Sequence, residues 1–138
     1  MEGARGLWER VGMTDTSSKP TVDIPEGDPP GGLQVDDLVV GDGAEAVAGT
    51  TCTMHYVGHS WSTGKQFDAS WDRGDAFSFR LGAQMVIAGW DQGVAGMKVG
   101  GRRRLTIPPE LGDGSRGAGG VIAPGETLVF VVDLLKVA

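Results

Sequence analysis

From Leu33 onward, apolar and polar positions follow a β pattern. Residues 33–40 read as a strand closed by Gly41-Asp42-Gly43. Residues 50–58 alternate, with Cys52, Met54 and Tyr56 on one face and Thr51, Thr53 and His55 on the other. Ser62-Thr63-Gly64-Lys65 forms a turn, and Phe77, Phe79 and Leu81 share one face of a further strand. Leu105 and Ile107 share a face of another, which Pro108-Pro109 terminates. The last strand sets Leu128, Phe130, Val132 and Leu134 on one side and Asp133 on the other. One stretch has a helical period instead. Ile87, Trp90 and Val94 form the buried stripe of a short helix over about 84–95, its length limited by Gly93 and Gly96. The pattern predicts an α+β domain: an antiparallel sheet of about five strands wrapped on one short helix.

Residues 1–32 carry no sustained period. Polar side chains and chain breakers crowd residues 14–20 and 26–32, so 1–32 are expected to form a mobile tail, pinned in part near Val22 and Ile24. Residues 33–138 then form the single domain. A chain of 138 residues suffices for one domain with a core and is too short for two ordinary ones. Its 24 glycines favour strands and turns over a helical bundle.

The net charge of −6 argues against nucleic acid as a partner. The basic run Arg102-Arg103-Arg104 is too short to reverse that, and it reads as a solvated strand edge. Cys52 is the single cysteine, and only His55 and His59 could join it, so no metal site is expected and the thiol reads as buried and structural. No stretch approaches the roughly 20 apolar residues that span a bilayer. Residues 1–8 lack the apolar core of a secretory leader. A cytoplasmic protein with no membrane partner is expected.

Candidate chemistry is concentrated between Thr53 and Trp90. Tyr56, Trp61, Phe67, Trp71, Phe77, Phe79 and Trp90 gather there, in a chain with only 4 Phe, 4 Trp and 1 Tyr. Such a gathering builds either a core or an apolar pocket. Trp90 accordingly reads as core or as pocket floor, with Ile87 on the rim. Asp68 with Arg73 reads as an ion pair shaping a pocket wall or as two independent surface charges. Nothing sets Asp68, Asp72 and Asp75 apart as an acid and a base. His55 and His59 lie four apart on one strand and read as polar-face residues rather than catalytic bases. The segment 109–123 is long for a loop in a small domain, and with Val121 and Ile122 beside its glycines it can close one side of a pocket. Gly112, Gly114 and Gly117 match a dinucleotide-binding spacing, but no helix follows to hold a pyrophosphate. No nucleophile elbow and no phosphate loop occur. An apolar cup with few polar groups suits a reaction that needs neither nucleophile nor metal.

These residues resemble the FKBP-type peptidyl-prolyl isomerases, the immunophilins that bind rapamycin and tacrolimus. Thr51-Cys52-Thr53-Met54-His55-Tyr56-Val57-Gly58 is similar to the family's pocket-opening strand, and Gly64-Lys65-Gln66-Phe67-Asp68-Ala69-Ser70 to its Gly-Lys-x-Phe-Asp-x-Ser motif. Phe77-Ser78-Phe79-x-Leu81-Gly82 and Val86-Ile87-x-Gly89-Trp90-Asp91-x-Gly93-Val94 resemble its strand-to-helix signature. Gly96-Met97-x-Val99-Gly100, Leu105-Thr106-Ile107-Pro108 and Thr127-Leu128-Val129-Phe130 continue the likeness, which covers residues 33–138 in order.

The resemblance implies Trp90 as the floor of a proline cavity, with Phe67, Phe77 and Phe130 as walls. Tyr56 and Asp68 complete the catalytic set, and Arg73 is the ion-pair partner of Asp68. It further implies Met85, Val86, Ile87, Leu111, Asp113, Val121 and Ile122 as substrate contacts. The Ile87 N–H would donate to a ligand carbonyl, and Val121 and Ile122 would tip a flap. Implied partners are proline-containing peptides, unfolded proteins and macrolides such as rapamycin or tacrolimus. No cofactor, metal, nucleic acid or membrane is implied, and the expected state is a monomer. One departure stands out: Asp113 occupies the position of a tyrosine that usually donates to the bound carbonyl, whereas an ionised carboxylate only accepts. Met85 likewise replaces an acidic residue common there. The resemblance thus implies an isomerase that rotates X-Pro bonds in an apolar pocket. Asp113 keeps open a weakly catalytic module that binds prolyl peptides or acts as a chaperone.

Overall fold

The computed structural model of the chain describes residues 15–114, 117–118 and 120–138. Six strands form one antiparallel sheet: β1 Gln34–Val39, β2 Thr51–Ser60, β3 Gln66–Ala69, β4 Phe77–Arg80, β5 Arg102–Ile107 and β6 Leu128–Val137. The order is β1-β5-β6-β2-β3, and β4 also pairs with β2. Two short helices, α1 Ser70–Arg73 and α2 Ala88–Gly93, and a 3-10 turn, Pro109–Leu111, are the other described elements. The α+β class is as expected. The strand beyond the expected five is β3, whose four residues carry a single large apolar side chain, Phe67, too little for alternation to register. Its pairing with β2, from Val57↔Ala69 to His59↔Gln66, is what forms it.

The long strand β2 organises the molecule. Its first half pairs with β4 and its second half with β3, while β6 runs along its other edge. The registers Met54↔Phe77, Gly58↔Asp68, Tyr56↔Val132 and Gly58↔Phe130 therefore bring four distant segments to one place. Met54, Phe79, Leu81, Val94, Leu105, Leu128 and Leu134 pack between sheet and helix with almost no exposure. Cys52 lies in the same cluster, and burial pushes its thiol pKa up.

The helix starts at Ala88, not near Gln84 as the apolar period suggested. Gly82 and Gln84 both have left-handed backbones, φ 80° and 60°. The Asp91 carboxylate accepts their N–H groups at 2.8 and 3.0 Å, which fixes residues 82–87 as a turn. Gly93 does more than limit the helix. A Cβ on Gly89 would stand 2.5 Å from Ile107 Cγ2, and one on Gly93 2.8 Å from Leu105 Cδ2. Two glycines on one face thus let α2 sit close against β5, where Trp90 reaches the aromatic side chains of β2 and β6.

The opposite sheet face is covered as well. Val57, Ala69 and Val131 form a second cluster against which Val22 packs. The Ser18 carbonyl accepts from Arg102 Nη2 at 2.8 Å, Lys19 reaches Asp72 at 2.9 Å, and the Gly27 carbonyl accepts from Trp61 Nε1 at 3.0 Å. Residues 15–27 thereby run across this face; residues 1–14 of the expected tail lie outside the described residues. The arginine run is not a solvated edge, because β5 lies between β1 and β6. Arg102 holds Asp133 at 2.6 Å, and Arg103 holds Asp37 at 2.7 Å while donating to the carbonyls of Gly93 and Ala95 at the end of α2. These two arginine side chains are only 12% and 11% exposed, so their charge is spent inside the fold. No helix among the described residues is long and apolar enough to cross a membrane.

Candidate active site

Strand β2 delivers Tyr56 to the centre of an aromatic assembly. Trp90 from α2 meets its ring edge-on at 4.9 Å, and Phe130 from β6 meets Trp90 at 5.2 Å. Phe67 from β3 stands edge-on to Phe130 at 5.5 Å, and Phe77 from β4 lies 5.9 Å from Trp90. Edge-to-face pairs at such distances fix ring orientations, so the assembly is preorganised. Gly58 makes room for it: a Cβ there would lie 2.6 Å from Phe130 and 2.7 Å from Phe67. The rings surround a cavity of about 390 Å³, the size of a small-ligand site.

Polar groups on the rim are few, and three of them are tied together. The Tyr56 hydroxyl donates to Asp68 Oδ2 at 2.6 Å, and Arg73 Nη2 donates to the same hydroxyl at 2.8 Å. Arg73 Nη1 bonds Asp68 Oδ1, so Tyr56, Asp68 and Arg73 close a triangle. Burial, reinforced by the Asp68 bond, pushes the Tyr56 pKa up against the pull of Arg73. The Tyr56 and Asp68 bonds push the Arg73 pKa up in turn. The triangle therefore favours the neutral phenol of Tyr56 and orients it. Behind it, Ser70 on α1 is fully buried. Its hydroxyl accepts the Tyr56 N–H at 2.7 Å and bonds His55 Nδ1 at 2.8 Å, locking α1 to β2. His55 is further stacked on Trp71 at 4.2 Å, a packed position on the sheet face away from the cavity.

The turn fixed by Asp91 brings Val86 and Ile87 to the cavity wall. Among the described residues the Ile87 N–H has no acceptor, whereas its carbonyl takes the N–H groups of Trp90 and Asp91. A free donor thus stands at the start of α2. The opposite wall comes from the loop after β5. Its Gly114 carbonyl accepts from Gly125, and paired bonds between Ala118 and Ile122 fold it into a small hairpin. Gly117 permits that fold, having φ 68° and no space for a Cβ against the Ile122 carbonyl. The two apolar residues of the flap diverge: Ile122 is buried and Val121 is 63% exposed.

Of the expected residues, Tyr56, Phe67, Asp68, Phe77, Trp90 and Phe130 all line the cavity, as do Val86, Ile87, Asp113, Val121 and Ile122. Three do not. Arg73 stands one layer out, behind Tyr56 and Asp68. Leu111 packs against the main core instead. Met85 points to solvent, 63% exposed, beside the Asp91-fixed turn. Ala118 lines the cavity and was not anticipated. A small residue between glycines gives no signal of its own, and only the hairpin pairing with Ile122 brings it inward. Among the described residues no cluster of His, Cys, Asp and Glu could hold a metal ion.

Residues 43–135 match the model of the FKBP-type peptidyl-prolyl cis-trans isomerases. The FK506-binding protein of Streptomyces anulatus is 61% identical over 120 residues, covering 86% of this chain and 97% of that protein. The probable FK506-binding protein of Corynebacterium glutamicum is 50% identical over 118 residues, covering 86% and 98%. The crystal structure of AtFKBP13 superposes with a TM-score of 0.72 at 44% identity, covering 80% of this chain and 96% of that one. The family match spans β2 to β5 and β6 as far as Leu135, and takes in each cavity-lining residue. This chain belongs to the family of FKBP-type peptidyl-prolyl cis-trans isomerases.

Proposed function

We propose that the chain accelerates rotation about X-Pro peptide bonds inside its aromatic cavity, without covalent chemistry. The cavity itself carries this reading: about 390 Å³ of space walled by rings, with, among the described residues, an N–H without an acceptor at one side and two carboxylates, Asp68 and Asp113, in its lining. Rotation of a peptide bond costs roughly 18–20 kcal/mol because resonance is lost as it twists. The twisted amide is less charge-separated than the planar one, so moving it from water into an apolar site favours the transition state. Each tenfold acceleration needs only about 1.4 kcal/mol of such preference.

In this reading Trp90 supports the proline ring, and Phe67, Phe77 and Phe130 exclude water. The Ile87 N–H takes a peptide carbonyl, while Tyr56, held by Asp68 and Arg73, fixes the rim. The substrates are proline-containing peptides and unfolded chains, met in the cytoplasm by a monomer. The names of the relatives add that FK506, which is tacrolimus, or a similar macrolide would compete for the cavity.

Asp113 favours a second reading, a prolyl-peptide binding module with little turnover, because an ionised carboxylate cannot donate to the bound carbonyl. Isomerisation rates on short X-Pro peptides, for the natural chain and for Asp113→Tyr, separate the two. Strong catalysis by both supports the isomerase. Catalysis that appears only with tyrosine supports the binding module.

A further inference from the structure

The two carboxylates that line the cavity differ in kind. Asp68 is neutralised by Arg73 and capped by Tyr56. Asp113 forms no ion pair or hydrogen bond with any described residue, although it is partly buried at the wall. Its place is fixed by the backbone: the N–H groups of Gly112 and Gly114 both reach the Pro109 carbonyl, at 3.0 and 2.8 Å, and so bracket Asp113 in a tight turn. The net charge of −6 adds no compensating field. Among the described residues, the mouth of an otherwise apolar cavity thus carries one carboxylate, Asp113, that no cation pairs.

We propose that Asp113 sets substrate specificity by charge, favouring peptides whose residue before proline is lysine or arginine and disfavouring aspartate or glutamate there. This rests on the isomerase reading of the site. For rotation to be assisted, the amide joining that residue to proline must lie in the cavity with the ring. The side chain before proline then begins one bond from the amide and leaves along the rim. A cation there meets Asp113 over a low-dielectric wall; an anion meets the same charge with the opposite sign. An exposed ion pair shifts affinity by about two- to fivefold, so attraction and repulsion together give a lysine-to-glutamate ratio of about tenfold. The ratio falls as salt screens the charge.

The test is kcat/KM for one peptide series, with lysine, norleucine or glutamate before proline, at low and high salt. It is run on the natural chain, Asp113→Asn and Asp113→Lys, each checked for an unchanged melting temperature. The expected order is lysine above norleucine above glutamate for the natural chain, flattened by salt and by Asp113→Asn, and inverted by Asp113→Lys. A natural chain indifferent to the charge, or a preference that survives Asp113→Asn, overturns the assignment. If no peptide is isomerised, the isomerase reading fails separately, and calorimetric binding of the same peptides decides the charge preference by the same order.

Discussion

Tyr56 shows how one side chain can serve both core and rim. Its ring packs against Trp90, while its hydroxyl closes the bond triangle with Asp68 and Arg73. The chain has no other tyrosine, so its ionisation can be followed by absorbance without interference. Burial and the Asp68 bond raise its pKa in the folded state. Below about pH 10, where a free tyrosine begins to ionise, the phenol is neutral folded or unfolded and its bonds contribute in full. Above that, the unfolded chain ionises first, so this contribution is lost as the pH climbs through the raised value. In an alkaline titration the tyrosinate signal should lag that of a free tyrosine and rise together with the loss of near-ultraviolet dichroism. Ionisation at the free value in a fully folded chain would show that the triangle does not hold the phenol. The family signature around Phe67 and Asp68 made this site legible in the sequence; the third corner, Arg73, was legible through that resemblance, whereas the residues alone left two readings, because i to i+5 spacing across β3 and α1 does not by itself tell a pair from two solvated charges.

At the scale of elements, the turn between β4 and α2 is where the pattern misled. Ile87, Trp90 and Val94 do lie at helical spacing, but the helix begins only after Ile87. What shortens it is a side chain bonding to backbone, Asp91 to Gly82 and Gln84, and such a bond leaves no trace in the order of apolar residues. The same bonds hold a non-glycine residue, Gln84, in a left-handed conformation that costs of order 1 kcal/mol or more. Asp91 is therefore a positioning residue for Val86 and the Ile87 N–H. Replacing Asp91 with Ala should raise KM for X-Pro peptides by about tenfold, equivalent to one charge-assisted bond, with a smaller change in kcat. Asp91→Glu should recover part of the loss. An unaltered KM in the alanine variant would mean that the turn holds its shape without the carboxylate. Strand β3 was missed for the complementary reason, being defined by pairing with β2 rather than by any period of its own.

Across the whole molecule, the sheet is a partition. One face carries α2, the rings and the cavity; the other carries Val22, the Arg102–Asp133 pair and the N-terminal segment. The apolar alternation of β6 announced the first face, with Leu128, Phe130, Val132 and Leu134 in a row. It could not announce the second, where Asp133 is 1% exposed although the pattern placed it on the polar side. The arginines that looked like a surface feature are the reason that burial is tolerated: Arg102 neutralises Asp133 from the neighbouring strand and also ties down Ser18. The division leaves the cavity with a single proposed task, to strip water from a proline amide while it rotates. The most direct test is the isomerisation rate of one X-Pro peptide in the presence of the natural chain and of Phe67→Ala. Phe67 is only partly buried, so its loss should cost less than the roughly 3–5 kcal/mol of a core phenylalanine and leave the chain folded. It should nevertheless open the cavity beside Phe130 to water. The account predicts clear acceleration by the natural chain and a loss of about tenfold or more in the folded variant. Equal rates from both would contradict it.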